Sequence, residues 1–305
     1  LDTTGAGDTT SIYRRLNPRG GVSVDLGRGG AVYASVGRSF RAPAIVELAC
    51  ADPAAACPLP FALGEDPPLL PVTATTYELG GRWALGPAAV TGAVYRSEVR
   101  DEIFFVASET ALLSGYFTNI GRTRREGVEL AVELSLGERL TGYANYAFTR
   151  ATFRSAAELF SIRADSDFAA SPLAGPNDVT AGDRLPLVPN HQAKVGALAQ
   201  LPGGGEVGLD ARLVGAQWLR GDEANETRPL DSYIVLNARA GYRMGRWEIA
   251  AIVTNVFDSR RGTFGTFNEN RQTGQIERFL TPLGARAVKL ILRHDFGPRA
   301  APDGS

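Results

Sequence analysis

The stretch from Arg124 to Phe148 restricts the fold of this chain more than any other. Between Val128 and Leu136 every second residue is aliphatic, and the residues in between include Glu129 and Glu133. Successive side chains of a β-strand point to opposite faces, so this period of two predicts a strand with one apolar and one acidic face. A helix would place both glutamates on the aliphatic stripe, which excludes it. The chain turns at Gly137-Glu138 and alternates again, which predicts a long β-hairpin.

The same pattern recurs along the whole chain and predicts eleven antiparallel strands. Five short, glycine-containing turns alternate with five longer connections, as in outer-membrane barrels. Strands of soluble proteins usually have about five or six residues, whereas a tilted strand needs roughly nine to eleven to cross a bilayer. Glu78, Asp210 and Lys289 all fall on the face opposite the aliphatic one. A soluble sandwich would also separate charges from its core, but it would not need strands this long. We therefore expect an all-β fold, a transmembrane antiparallel up-and-down β-barrel.

Composition and charge narrow the classes of partner. The net charge of -1 gives no indication of a nucleic-acid-binding surface. No run of eighteen apolar residues is present, and the low mean hydropathy of -0.09 suits barrel strands, whose side chains alternate. The first ten residues contain no Met, basic segment or apolar signal core, so we expect the chain to be part of a longer protein.

The strand directions lead to the same expectation. The first and the last predicted strand run toward the side of the short turns, and bacterial barrels have an even number of strands with both ends on the periplasmic side. An odd number of strands is therefore expected before residue 1.

Two cysteines lie in a connection rich in Pro and Ala. The spacing of Cys50 and Cys57 suits a small disulfide-closed loop, which indicates an oxidising compartment. Two free thiols are the alternative.

Four segments, in this order and spacing, carry a family resemblance. They are Leu16–Gly21 with Val32–Ser35 and Ser39–Pro43, then Thr76–Gly80, then Tyr116–Gly121 with Arg125–Glu129, and finally Val253–Asp258 with the last strand up to Phe296. In these segments the chain resembles the C-terminal part of the barrel of TonB-dependent outer-membrane receptors. The barrel of that family has about 22 strands. The resemblance thus implies that residues 1–296 form its second half, with residues 297–305 as a polar tail.

The resemblance also implies a function. We expect a receptor in the outer membrane of a Gram-negative bacterium for energised, TonB-dependent uptake of a scarce ligand, foremost a ferric siderophore or another iron chelate. Its partners would be outer-membrane lipid, the extracellular small molecule and the TonB complex, the last through an N-terminal segment outside this sequence. Cobalamin, haem or oligosaccharide receptors of the same family, a passive porin, and an outer-membrane enzyme or adhesin are the alternatives. The family usually ends on an aromatic residue, and here Phe296 is followed by the polar tail.

Candidate ligand-binding residues are aromatic and polar or basic residues near the outer rim. They are Phe104, Phe105, Tyr116, Phe117, Trp218, Arg220, Phe264, Phe267, Asn268 and Arg271. Aromatic faces combined with arginine donors suit an anionic, catecholate or hydroxamate iron chelate. A girdle of aromatics at the lipid headgroups is the competing interpretation for each of them. We expect Tyr77, Trp83, Tyr242 and Trp247, near short turns, to form the girdle at the other end.

Catalytic and metal-binding patterns are not found. His191 and His294, the only histidines, have no carboxylate or cysteine at ligand spacing, so no protein metal site or cofactor is expected. No nucleophile elbow or phosphate loop is present, so we expect no enzyme. Arg122, Arg124 and Arg125 form a basic cluster, for which pairing with acidic neighbours or a plug is favoured over ligand binding.

Overall fold

A computed structural model describes residues 12–48, 51, 69–107, 115–163 and 173–296. The predicted disulfide between Cys50 and Cys57 and the predicted tail 297–305 lie outside the described residues. The elements in chain order are β1 (Arg19–Gly27), β2 (Gly30–Arg41), α1 (Ile45–Leu48), β3 (Val72–Leu85), β4 (Ala88–Ala107), β5 (Gly115–Leu136), β6 (Leu140–Phe153), β7 (Ala157–Arg163), β8 (Leu173–Val179), β9 (His191–Leu201), β10 (Gly205–Val214), β11 (Tyr233–Met244), β12 (Trp247–Thr254), β13 (Gly262–Asn270), β14 (Gln275–Pro282) and β15 (Ala287–His294).

Eleven strands form one antiparallel sheet in the order β1-β2-β3-β4-β5-β6-β9-β10-β11-β12-β15. Each strand pairs with the next barrel strand along the chain, so the prediction of an up-and-down sheet of eleven strands is confirmed. The five predicted short turns join β1 to β2, β3 to β4, β5 to β6, β9 to β10 and β11 to β12. Among the described residues, no helix has the length and apolar character needed to cross a membrane.

The sheet has two chemically different faces. Its outer face, as we call it, carries exposed aliphatic side chains such as Val128, Leu209 and Leu290, which are 42%, 58% and 76% exposed. Its inner face carries polar and charged side chains, among them Glu129 and Lys194, which line a cavity of about 600 Å³. An exposed apolar face is stable only against lipid or another apolar surface, and this arrangement is that of a membrane barrel wall.

The height of the apolar band can be estimated on β5. Its outer-face aliphatic side chains run from Leu136 to Val128, and eight residues at ~3.4 Å rise span about 27 Å along the strand. A strand tilt of roughly 40° reduces this to about 21 Å, close to the ~25 Å apolar band of outer-membrane barrels. The next outer-face residue on this strand is Glu126. The lipid-facing part of β5 therefore ends between Val128 and Glu126.

On the inner face, three tyrosines lie directly across from glycines of the neighbouring strand. The cross-strand pairs are Tyr33 with Gly80, Tyr95 with Gly127, and Tyr143 with Gly196. A Cβ atom built on Gly80 would lie 2.6 Å from the Tyr33 hydroxyl, and one on Gly196 would lie 2.7 Å from the Tyr143 ring. The rings therefore occupy space that any other residue would fill, which explains why glycine stands there.

Two of the five predicted longer connections contain strands that were not predicted from the sequence. Within the long connections after β6 and β12, the hairpins β7–β8 and β13–β14 form separate two-stranded sheets. Neither hairpin belongs to the barrel sheet, so neither needs the strict aliphatic alternation by which the barrel strands were predicted. Pro176 within β8 obscures that hairpin further.

The expected girdle position of Tyr77 is also wrong. Tyr77 is paired with Arg96, and it lies eight residues before the end of β3 at the short turn. It therefore lies at the opposite end of the apolar band from Trp83. Trp247 and Tyr242, by contrast, lie within three residues of the turn between β11 and β12.

Candidate functional site

The candidate site lies where β4 and β5 extend beyond the apolar band. Their ladder continues to Ala107 and Gly115, and Phe105 and Phe117 are direct cross-strand partners near its end. Their ring centroids are 5.2 Å apart at an interplanar angle of 66°, an edge-to-face pair. Such pairs contribute about 0.5–1.5 kcal/mol beyond the area they bury. Both rings are half-buried, and Phe117 also packs against the hydrophobic cluster of Ala51, Leu69 and Ile103.

Arg220 joins this aromatic pair from a different part of the chain. It belongs to the connection between β10 and β11, and its guanidinium carbon lies 5.9 Å from the centroid of the Phe105 ring. Its backbone forms an isolated parallel bridge with Thr266 in β13. Phe105, Phe117 and Arg220 together form what we call the rim cluster. Arg220 is an exposed residue.

The loop that carries Arg220 is held by a buried aspartate. Asp222 is 0% exposed, and its carboxylate accepts hydrogen bonds from the backbone N–H of Glu226 at 2.8 Å and of Thr227 at 3.0 Å. The Thr227 hydroxyl donates a third, at 2.8 Å. Asn225 ties the loop to the preceding connection through the N–H and the carbonyl of Arg184. Burial raises the pKa of the neighbouring Glu223 carboxyl.

The same loop is packed against the hairpin β13–β14. Leu219 is 0% exposed, and a Cβ atom on Gly265 would lie 2.7 Å from its side chain. Gln217 Nε2 donates to the carbonyl oxygen of Thr263 at 2.9 Å. These contacts fix the loop on the hairpin and thereby fix the backbone of Arg220.

Two of the predicted rim aromatics lie elsewhere. Phe104 packs on Phe153 with ring centroids 5.7 Å apart, and Tyr116 packs against the same hydrophobic cluster. The buried members of that cluster are Val106, Ile120, Ala151, Phe153, Leu159, Val179 and Leu185. It joins the ends of β4, β5 and β6 to the hairpin β7–β8, which gives Phe104 and Tyr116 a structural role.

The remaining predicted residues are distributed over the hairpin β13–β14 and its neighbour. Phe264 and Asn268 share one face of β13, whereas Phe267 lies on the other with Gly265. Arg271 lies in the exposed turn of the hairpin. Trp218 is half-buried in the loop, and its carbonyl oxygen accepts from the N–H of Leu187 at 2.9 Å. These residues lie near the same end of the barrel as the rim cluster.

Asp101 in β4 has a left-handed backbone, with φ 58°. The next residue, Glu102, is the cross-strand partner of Ile120 but accepts hydrogen bonds from Thr123 and Arg125. Cross-strand partners share a face, so Ile120 lies on the same face as Glu102. Thr123 and Arg125 are an odd number of residues from Ile120, and strict alternation would therefore place them on the opposite face. The left-handed residue therefore accompanies a reversal of the side-chain alternation at this level.

The basic cluster on β5 is largely paired with acidic neighbours. Arg124 forms an ion pair with Glu98 at 2.7 Å, and Arg125 forms one with Glu102. Within the described part of the chain, Arg122 forms no ion pair. No structural role was predicted from the sequence for Asp101 or Asp222. The polar run from Asp222 to Thr227 contains Asp, Asn and Thr, whose side chains typically form hydrogen bonds to the backbone of their own turn. This run is the sequence signal that indicates the role of Asp222.

Comparison with known proteins decides the family. The sequence model described as "TonB dependent receptor-like, beta-barrel" matches residues 1–256. The chain belongs to this family. The family consists of outer-membrane β-barrel receptors, and not of enzymes.

Three relatives illustrate the similarity. The ferrioxamine receptor of Yersinia enterocolitica is 26% identical over 179 residues, which is 59% of this chain and 22% of that protein. The crystal structure of the ferric yersiniabactin uptake receptor from Yersinia pestis has a TM-score of 0.64 at 18% identity, and the match covers 92% of this chain and 37% of the receptor chain. A siderophore receptor from Acinetobacter baumannii has a TM-score of 0.64 at 17% identity, and the match covers 90% of this chain and 35% of the receptor chain. The chain thus spans little more than a third of the solved receptors and about a fifth of the ferrioxamine receptor.

Proposed function

We propose that the protein containing this chain is a receptor for energised, TonB-dependent uptake of a ferric siderophore or another iron chelate. Membership of the receptor family is the observation that carries this proposal. The relatives named for ferrioxamine, ferric yersiniabactin and siderophores support an iron chelate over the other ligands of the family. The chain acts by binding and transport and not by catalysis.

In this proposal the rim cluster contributes to ligand recognition. Arg220 presents guanidinium donors above the Phe105 ring, and the Phe105–Phe117 pair presents aromatic surface beside them. A guanidinium binds carboxylate, hydroxamate or catecholate oxygens through charge-assisted hydrogen bonds, and the rings pack against the apolar parts of a chelate. Because the Arg220 loop is fixed by Asp222 and Leu219, little ordering of this loop is required when the ligand binds.

The rest of the transport apparatus would come from outside this sequence. Residues 1–296 would form the second half of a barrel in the outer membrane of a Gram-negative bacterium. The TonB complex would be contacted through an N-terminal segment of the longer protein. The polar side chains of the inner face would then surround whatever fills the barrel.

An uptake assay tests the proposal. Cells that lack the intact gene, with and without a plasmid copy, are supplied with radiolabelled ferric ferrioxamine, ferric yersiniabactin or a ferric catecholate. We expect the plasmid to restore uptake of one of these chelates in cells with an active TonB complex, and not after the complex has been deleted. Restored uptake of cobalamin, haem or an oligosaccharide alone would overturn the iron-chelate proposal. Uptake that persists without TonB would indicate a porin.

A further inference from the structure

The outer face of the sheet changes from aliphatic to arginine-rich just beyond the apolar band. One row across the strands is apolar and consists of Ala34, Leu79, Val94, Val128 and Phe148, each paired with the next. The next row toward the rim contains Arg96, Glu126 and Arg150. Register partners share a face, so these charges lie on the side that faces lipid, at the level where the lipid tails end.

Six arginines occupy this part of the outer face, and we call them the outer arginine band. They are Arg38, Arg96, Arg100, Arg122, Arg124 and Arg150. The acidic side chains on the same rows are Glu98 and Glu126, so the band has a formal surplus of four positive charges. Arg124 pairs with Glu98, and Arg96 pairs with Glu126 at 2.9 Å. In the described ranges, the other four form no ion pair.

Arg100 and Arg122 are direct cross-strand partners, and both are exposed. Cβ atoms of such partners lie about 4.5–5.5 Å apart, and like charges directly opposite each other destabilise a sheet. A third row of the outer face therefore places side by side two cations that form no ion pair with the described part of the chain. An anion with several oxygens, held between the two guanidinium groups, would remove this repulsion.

A shallow pocket of about 250 Å³ opens on the same surface. It is lined by Arg38, Thr73, Thr75, Tyr77, Glu98 and Arg100. Two guanidinium groups and three hydroxyls supply the donors that a phosphate group accepts from.

Aromatic residues mark the boundary below the band. The ring centroids of His191 and Phe148 are 5.2 Å apart. The Nδ1 atom of His191 and the Tyr146 hydroxyl are joined by a hydrogen bond of 2.8 Å. Tyr77 lies in the same boundary region on β3. Amphipathic rings of this kind occupy the headgroup level of membranes. The arginines beyond them are therefore level with lipid headgroups and not with bulk solvent.

We propose that the outer arginine band binds phosphate groups of phosphorylated lipid headgroups in the outer leaflet, with Arg100 and Arg122 sharing one phosphate and Arg38 and Arg100 lining a second position. Continuity with the apolar band favours a lipid over a soluble anion, because the acyl chains of the same molecule would cover the aliphatic rows below. The surplus of positive charge supplies the attraction.

Native mass spectrometry of the intact receptor in detergent tests this proposal, with diphosphorylated lipid A as the probe. We expect the combination of Arg100→Gln with Arg122→Gln to weaken lipid binding roughly tenfold to thirtyfold, since each arginine near a charged lipid surface contributes a factor of roughly five. Arg38→Gln alone should weaken binding roughly fivefold. Circular dichroism shows whether the double variant assembles its β-sheet. If the double variant does not assemble, the Arg38→Gln variant still tests the proposal.

The matched control removes two arginines from the short-turn end of the same sheet, by Arg139→Gln with Arg246→Gln. Both are exposed, and they lie beyond about one Debye length from the band, so binding should change by less than roughly twofold. The lipid without its phosphates should bind weakly to all variants. Equal binding to wild type and to the Arg100 and Arg122 variant would overturn the proposal. Inorganic phosphate that binds with the same dependence on these arginines, and displaces the lipid, would overturn the lipid as its occupant.

Discussion

The guanidinium of Arg220 lies over the ring of Phe105, with its carbon atom 5.9 Å from the ring centroid. The two residues are 115 positions apart in sequence, and the contact joins the connection between β10 and β11 to the end of β4. A cation over an aromatic ring contributes about 0.5–1 kcal/mol at an exposed position and about 2 kcal/mol or more when it is shielded from water. A bound ligand that covers Arg220 would therefore strengthen this contact.

Replacing Arg220 should weaken the binding of an anionic iron chelate. Arg220→Gln removes the charge and the fork of donors, and we expect the dissociation constant of the intact receptor to rise roughly tenfold to a hundredfold, because a charge-assisted hydrogen bond contributes about 1.5–3 kcal/mol. Fluorescence titration with the transported chelate measures this dissociation constant. Arg228→Gln is the control, since Arg228 is an exposed arginine of the same loop that pairs with Asp231. An equal loss in both variants would show that general loop charge, and not the rim cluster, matters.

Asp222 should determine the order of the Arg220 loop. In Asp222→Asn an amide NH₂ group replaces one of the two oxygens that accept from the Glu226 and Thr227 backbone, and we expect a local loss of about 1–3 kcal/mol. Hydrogen exchange at these two amides should accelerate by roughly tenfold to a hundredfold. Asp231→Asn provides the comparison, because Asp231 is exposed and serves only exposed arginines in the described structure. Unchanged exchange in Asp222→Asn would contradict the assignment.

The left-handed backbone at Asp101 predicts a steep dependence on the residue type. Asp101→Val should lower the free energy of unfolding by about 2 kcal/mol, since a β-branched residue is strained at positive φ. Asp101→Asn should be nearly neutral, because Asn tolerates this conformation. Urea unfolding of the detergent-solubilised receptor distinguishes the two. Equal unfolding midpoints for the Val and Asn variants would exclude the strained backbone.

Asp258 should make the connection after β12 sensitive to acid. The backbone N–H of Arg286 and then the Arg260 side chain donate to its carboxylate, and they hold the pKa of Asp258 below its ordinary value. The ionised form is therefore the one that the fold favours. The ionised carboxylate stabilises the fold at pH values above its ordinary pKa of 3.8. This stabilisation is lost as the pH falls through the lower pKa of the folded state.

Amide exchange at Arg286 measures this effect. Wild type and Asp258→Asn should differ near neutral pH and should converge in strong acid. A difference that does not depend on pH would rule out the carboxylate as its cause.

The barrel strands were predictable from the sequence because lipid imposes one rule on their full length. Every outer-face position of β5 from Val128 to Leu136 must be apolar, so the period of two is uninterrupted. The hairpins β7–β8 and β13–β14 lie outside the barrel sheet, and no such rule applies to them. Composition likewise conceals the outer arginine band, because a net charge of -1 says nothing about which strands bring arginines into one row.

The candidate site was predictable only in its composition. Phe104 and Phe105 are adjacent, yet one packs in the hydrophobic cluster and the other lies under Arg220. Alternation alone could not assign them, because Asp101 precedes both and accompanies a reversal of the side-chain faces. The approach of Arg220 depends on the packing of Leu219 on Gly265, which no local sequence signal specifies.

The tyrosines of the inner face also bear on how wide the barrel is inside. Each ring of Tyr33, Tyr95 and Tyr143 fits into the recess left by a glycine opposite, so it lies along the wall instead of projecting from it. Filling one recess with a methyl group would push the ring toward the barrel axis by roughly the thickness of that group. The clearance available to anything that occupies or passes through the interior is therefore set, on these strands, by residues that have no side chain.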